Sequence, residues 1–159
     1  MTYILEDCIF AAIAAIGFGS ISNVPVRNFS DCALLAAAGH GTRTLLTDRL
    51  DMSVITASFI GSLVIGLLAV PLSSHRKAPA ESISFPALLP MIPGMYAYRT
   101  IQAFLLCIRH ASENDFMHHL YQLNYNGFLC CSIIVLMFIG VTVPIFCIGK
   151  YSPQDTKLK

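Results

Sequence analysis

The sequence predicts an all-α integral membrane protein: about four transmembrane helices in a single domain over residues 1–159, one helix broken at Pro90 to Gly94, and a short interfacial or re-entrant helix. Composition is the first reason. Of the 159 residues, 55% are hydrophobic and 12% charged, and the mean hydropathy is +0.67; an ordinary soluble domain carries roughly a quarter charged residues. The second reason is pattern, since uncharged runs of roughly 20 residues recur, the length that crosses the hydrocarbon region. The third is Ile83 to Arg109, an apolar run that contains Pro86, Pro90, Pro93 and Gly94. Proline removes a backbone donor and clashes with the preceding turn, so this run predicts a helix that stops and restarts.

The first span covers residues 8–22 and ends at Asn23-Val24-Pro25. It is rich in alanine and glycine, the residues that let helix backbones approach closely in lipid. The segment before it carries Glu6 and Asp7 where a signal peptide would have basic residues, so it reads as a retained span. Residues 29–48 differ: the apolar run from Cys32 to Ala38 is flanked by Asp31 and by His40, Arg43, Asp48 and Arg49. That run is too short to cross, which predicts an interfacial or re-entrant helix; a fifth span remains open if its polar end is shielded by protein.

Residues 53–72 form an uncharged span, with Ala57, Gly61, Ser58, Ser62 and Gly66 at four-residue spacing on a small face suited to helix packing. The broken span follows over 85–108, then a polar connection from His110 to Asn126, and a last span over 127–149 that tolerates Pro144 as a kink. The tail KYSPQDTKLK is polar. Lys and Arg divide almost evenly between the two sides, and only the absence of either before the first helix favours an outside N-terminus.

The net charge of +1 and a pI near 7.6 give no basic excess for nucleic acid. The six cysteines, Cys8, Cys32, Cys107, Cys130, Cys131 and Cys147, form no Cys-x-x-Cys, and adjacent His118 and His119 point to different sides of a helix. No metal site, cofactor or catalytic residue is expected. No P-loop, Gly-x-Ser-x-Gly or His-Glu-x-x-His occurs, so the chain does not read as an enzyme.

One ionisable side chain lies deep in apolar sequence: Arg99, with uncharged residues from Phe85 before it and to Ile108 after it. An arginine at membrane depth costs roughly 2.5 kcal/mol or more unless it faces a cavity or partner. Two readings stand. Arg99 faces a cavity, where it and the half-helix starting after Pro93 and Gly94 jointly hold an anion such as a carboxylate, with Tyr96 or Tyr98 donating hydroxyl hydrogen bonds. Alternatively the span is shorter, Arg99 snorkels to the interface, and the tyrosines form an aromatic belt. On the first reading the substrate-binding residues are Pro90, Pro93, Gly94, Tyr96, Tyr98 and Arg99.

Asn23-Val24-Pro25-x-Arg27, the Gly39 to Arg43 loop, Ala57 through Gly66, Arg76-x-x-Pro79, and above all Leu89-Pro90-Met91-Ile92-Pro93-Gly94 with Tyr96 and Tyr98 behind it, resemble the C-terminal half of the threonine/serine exporter family. The resemblance covers most of the chain. It implies a multi-pass protein of the bacterial inner membrane, the small subunit of a two-component exporter of threonine- and serine-like amino acids or dicarboxylates such as succinate. It also implies a larger membrane subunit as partner, besides the lipid bilayer and the small-molecule substrate. Asn23, Arg27 and Arg43 join the candidate site on the same ground. The absence of a nucleotide motif points to coupling with the proton gradient or potential, with the proton-carrying residue expected in the partner. A membrane subunit that only stabilises or localises its partner, without transporting, is the alternative function.

Overall fold

The structure, a computed structural model, describes residues 2–109 and 112–149. Among the described residues six α-helices follow one another: α1 (Thr2–Ile21), α2 (Phe29–Leu50), α3 (Val54–Arg76), α4 (Ala80–Leu88), α5 (Gly94–Arg109) and α6 (Glu113–Gly149). Short 3-10 turns at Val26–Asn28 and Leu89–Met91 lie between them. The described residues are 91% helical and contain no strand. Among the described residues three stretches, Tyr3–Ile21, Val54–Arg76 and Glu113–Ile148, are long and apolar enough to cross a membrane. The chain is an all-α, multi-pass membrane protein.

The helix ends show why the chain turns where it does. After α1, Asn23 adopts a left-handed φ of 56°, and Val24 N–H bonds the Gly19 carbonyl at 3.0 Å while Asn23 N–H bonds that of Ser20 at 3.3 Å. These two bonds close the last carbonyls of the helix, and asparagine tolerates the left-handed conformation they need. Asp51 (φ 51°) ends α2 and Lys77 (φ 53°) ends α3 in the same region. Ser53 caps α3 by accepting the Thr56 N–H at 3.3 Å.

The chain forms two compact units. One comprises the described residues through Met91 and from Leu136 onward; the other is Ile92–Val135. In the first, α2 is the common neighbour, packed against α1, α3, α4 and the Leu89–Met91 turn. Residues 29–48 lie within this helix. Its backbone approaches α3 so closely that a Cβ on Gly61 would sit 2.7 Å from the Gly39 carbonyl oxygen and 2.8 Å from Met91 Cε. On the other side of α3, a Cβ on Gly66 would meet the Val141 carbonyl of α6 at 2.6 Å. The small face of α3 is therefore packing surface, with Ala57, Ser58, Ser62 and Ala69 fully buried.

The broken segment appears where the prolines place it. The α4 helix ends at Leu88, the turn Leu89–Met91 follows, and α5 starts at Gly94. In an uninterrupted helix, residues 90 and 93 would donate to the carbonyls of residues 86 and 89, and proline can do neither.

In the second unit, α5 lies beside the first part of α6, with Thr100 against Gly127. The α6 helix is 37 residues long and begins within the polar stretch that the sequence suggested was a connection. Polar residues do not prevent a helix that starts with Glu113 and Asp115 at its positive end and is tied by local pairs. One such pair joins His118 to Gln122 at 3.0 Å; another stacks the Tyr121 and Tyr125 rings at 6.0 Å. His110 and the tail from Lys150 onward lie outside the described residues.

Candidate functional site

Arg99 stands on one face of α5 with Gln102, Ala103 and Leu106, positions three and four apart that share a side of the helix. Opposite them, Gln122, Tyr125 and Asn126 come from α6, and together these residues line a groove of about 470 Å³. That volume falls within the range of roughly 300–1,000 Å³ that small-molecule sites occupy. The Asn126 amide Nδ2 donates to the Gln122 carbonyl at 2.7 Å, which fixes the side chain although it is buried. The lining residues carry one positive charge and no carboxylate. Such a wall suits an anion: a guanidinium offers paired N–H donors in the plane that a carboxylate accepts, and amides and a phenol bond whatever polar groups remain. The outward stripe of α5 is apolar, with Met95, Tyr98, Ile101, Leu105 and Ile108 exposed.

The other residues singled out from the sequence are distributed as follows. Pro90 lies half-buried in the turn before the break, Pro93 is buried, and Gly94 is exposed with open space where a Cβ would be. The first-turn donors of α5 are engaged locally: Gly94 N–H bonds the Ile92 carbonyl at 2.8 Å, and Tyr96 and Ala97 N–H bond that of Pro93 at 3.1 and 3.2 Å. Tyr96 is half-buried and Tyr98 exposed; the phenol that lines the groove belongs to Tyr125. Asn23 closes α1, and Arg27 is exposed in the Val26–Asn28 turn.

Arg43 projects from α2 to the break, where its Nη1 donates to the Met91 carbonyl at 2.8 Å. One turn away on α2, the imidazole Nδ1 of His40 is 2.7 Å from Oδ2 of Asp7 on α1, and the Thr44 hydroxyl donates to the same oxygen. At the start of α2, Arg76 holds Asp31, with Nε 2.8 Å from Oδ2 and Nη2 3.3 Å from Oδ1. Asp31, His40, Arg43 and Thr44 of α2 are thus partnered by neighbouring elements, while Asp48 and Arg49 near its end are exposed.

Sequence reasoning missed Gln102, Gln122, Tyr125 and Asn126, and also the Asp7, His40 and Thr44 cluster. Gln102 had a signal, three residues after Arg99 on the same helical face. The α6 residues had none, because His110 to Asn126 reads as a polar connection. No group of three or more His, Cys, Asp or Glu side chains able to hold a metal occurs among the described residues.

Comparison with known proteins gives a consistent placement. Residues 7–147 match the family described as Threonine/Serine exporter, ThrE. A protein of Haemophilus influenzae (strain ATCC 51907 / DSM 11121 / KW20 / Rd), described as uncharacterized, is 37% identical over 145 residues, which cover 91% of this chain and 47% of that protein. The chain spans about half the length of this curated relative. No solved structure matches it. With the family match extending over nearly all of its helices, the chain belongs to the threonine/serine exporter family, a family of transporters and not an enzyme class.

Proposed function

We propose that this chain is the smaller membrane subunit of a two-component exporter in the bacterial inner membrane, moving small carboxylate-bearing metabolites out of the cell. The observation that carries the reading is the groove between α5 and α6, where a guanidinium, three carboxamides and a phenol meet and no carboxylate is among the lining residues. Arg99 pairs with the substrate carboxylate, and the Gln102, Gln122, Asn126 and Tyr125 side chains take its amino, hydroxyl or second carboxylate group. Candidate substrates are threonine- and serine-like amino acids and dicarboxylates such as succinate.

An exposed arginine on a membrane helix is tolerated where it faces water or a protein partner. The groove therefore serves as one wall of a path that a larger subunit of the same family closes. The relative of about twice the length supports this division of labour, because this chain supplies about half of what that protein contains. The broken segment ahead of α5 is of the kind that lines substrate paths in secondary transporters.

The test is export from proteoliposomes loaded with radiolabelled L-threonine or succinate and containing this chain, the larger subunit, or both. Release that requires both chains is the expected result. Equal release by the larger subunit alone is what a stabilising subunit would give, and would overturn the assignment of a transport role to this chain.

A further inference from the structure

Asp7 and His40 meet across α1 and α2, with Nδ1 of the imidazole 2.7 Å from Oδ2 of the carboxylate. The Thr44 hydroxyl donates to the same oxygen. His40 falls in the middle of the 22-residue α2 helix, roughly 16 Å from either end at 1.5 Å rise per residue. The two side chains are 17% and 26% exposed, so the pair is sheltered from bulk solvent yet open to a proton. Asp7 lies within Tyr3–Ile21, a stretch long and apolar enough to cross a membrane, where an ionisable side chain is costly, and a carboxylate in contact with an imidazole is the material of a proton relay.

We infer that Asp7 and His40 form the proton-carrying pair of this transporter, an inference that rests on the export reading above. In one state a neutral His40 stands beside the Asp7 carboxylate, with net charge −1. Taking up one proton gives an imidazolium hydrogen-bonded to the carboxylate, with net charge zero, and release to the other side restores the first state. One proton enters and one leaves per cycle, and no other bond changes.

The neighbouring groups set the electrostatic frame. On α1, Cys8 faces Gly41 of α2, and Tyr3 and Glu6 are exposed near the helix start. On α2, Arg43 is one turn from His40 with its guanidinium on the Met91 carbonyl, and Asp31, Cys32, Asp48 and Arg49 lie two or more turns away. Among the elements packed on these two helices, α3 brings titratable groups only at His75 and Arg76, α4 only at Glu81, the Val26–Asn28 turn only at Arg27, and the Leu89–Met91 turn none. Along α2, Arg43 is the charged residue nearest in sequence to His40, and on α1 Glu6 adjoins Asp7.

The test uses liposomes containing this chain with its larger subunit, loaded with radiolabelled succinate or L-threonine. Two rates are read: efflux driven by an imposed pH gradient, and substrate-for-substrate exchange without a gradient. Asp7→Asn and His40→Gln are expected to lose the gradient-driven acceleration by about tenfold or more while exchange stays within roughly threefold of wild type, because exchange needs no proton release. Variants that keep the gradient response overturn the inference. So do variants that lose exchange as well, since the pair would then be structural. Wild-type exchange without any gradient response also overturns it while leaving the export reading intact; no movement of either substrate by the wild type overturns both.

Discussion

Nη1 of Arg43 lies 2.8 Å from the carbonyl oxygen of Met91, so the break in one helix is held by a side chain from another. In an unbroken helix the Met91 carbonyl would accept from residue 95; with the helix interrupted, the guanidinium is its donor. Met91 itself is fully buried, which makes an unpaired carbonyl there costly. Arg43→Ala is expected to destabilise the chain by about 1–3 kcal/mol. A fall in the thermal midpoint in detergent micelles would register it, and Arg43→Lys, which keeps one charged donor, should recover part of the loss.

At Gly61 the α3 helix comes close to the backbone of α2. An added Cβ would lie 2.7 Å from the Gly39 carbonyl oxygen, a backbone atom that cannot swing aside. Gly61→Ala should therefore cost about 1–3 kcal/mol and lower the yield of folded protein. Gly94→Ala is the control, because nothing lies within 4 Å of the added methyl group. Size-exclusion profiles of the two variants should separate them clearly: a broadened or aggregated peak for the first, a wild-type peak for the second.

Lys77 ends α3 at φ 53°, a conformation in which a lysine Cβ crowds the following carbonyl. Lys77→Gly removes that crowding and should raise stability by up to about 1 kcal/mol, read as a higher thermal midpoint. No change, or a fall, would mean that the lysine side chain offsets the strain through its position at the helix C-terminus.

Asn28 is fully buried beside the start of α2, and neither amide atom has a hydrogen-bond partner among the described residues. Replacing it with the similarly shaped leucine should stabilise the chain by about 1–2 kcal/mol in a denaturation series. Loss of stability would show that the amide has a partner, such as a bound water.

Much of the architecture was legible in the sequence because hydropathy and proline act locally. The uncharged runs announced the apolar parts of α1, α3 and α6, and Pro90 and Pro93 announced the break. Arg99 was legible for the same reason, as one charge in a long apolar run. The role of α2 was not. Its polar residues look unsuited to a bundle interior until Asp7, Arg76 and the Met91 carbonyl are brought to them from α1, α3 and the turn after α4. Partnerships of that range leave no periodic trace in one sequence. The groove was half legible: Gln102 follows Arg99 at helical spacing, whereas Gln122, Tyr125 and Asn126 sit in a polar stretch that reads as a connection between spans. Asn23 was picked out by resemblance, and its left-handed φ accounts for it through the end of α1.

If the Arg99 groove receives the carboxylate of an exported metabolite, efflux by Arg99→Ala in proteoliposomes that also contain the larger subunit should fall. Loss of a guanidinium–carboxylate pair worth about 1.5–3 kcal/mol corresponds to a fall of roughly tenfold to more than a hundredfold in transport at subsaturating substrate, with membrane abundance and thermal midpoint unchanged. The accompanying Gln102→Ala should show a smaller loss in the same direction. Efflux at the wild-type rate by Arg99→Ala would contradict the claim.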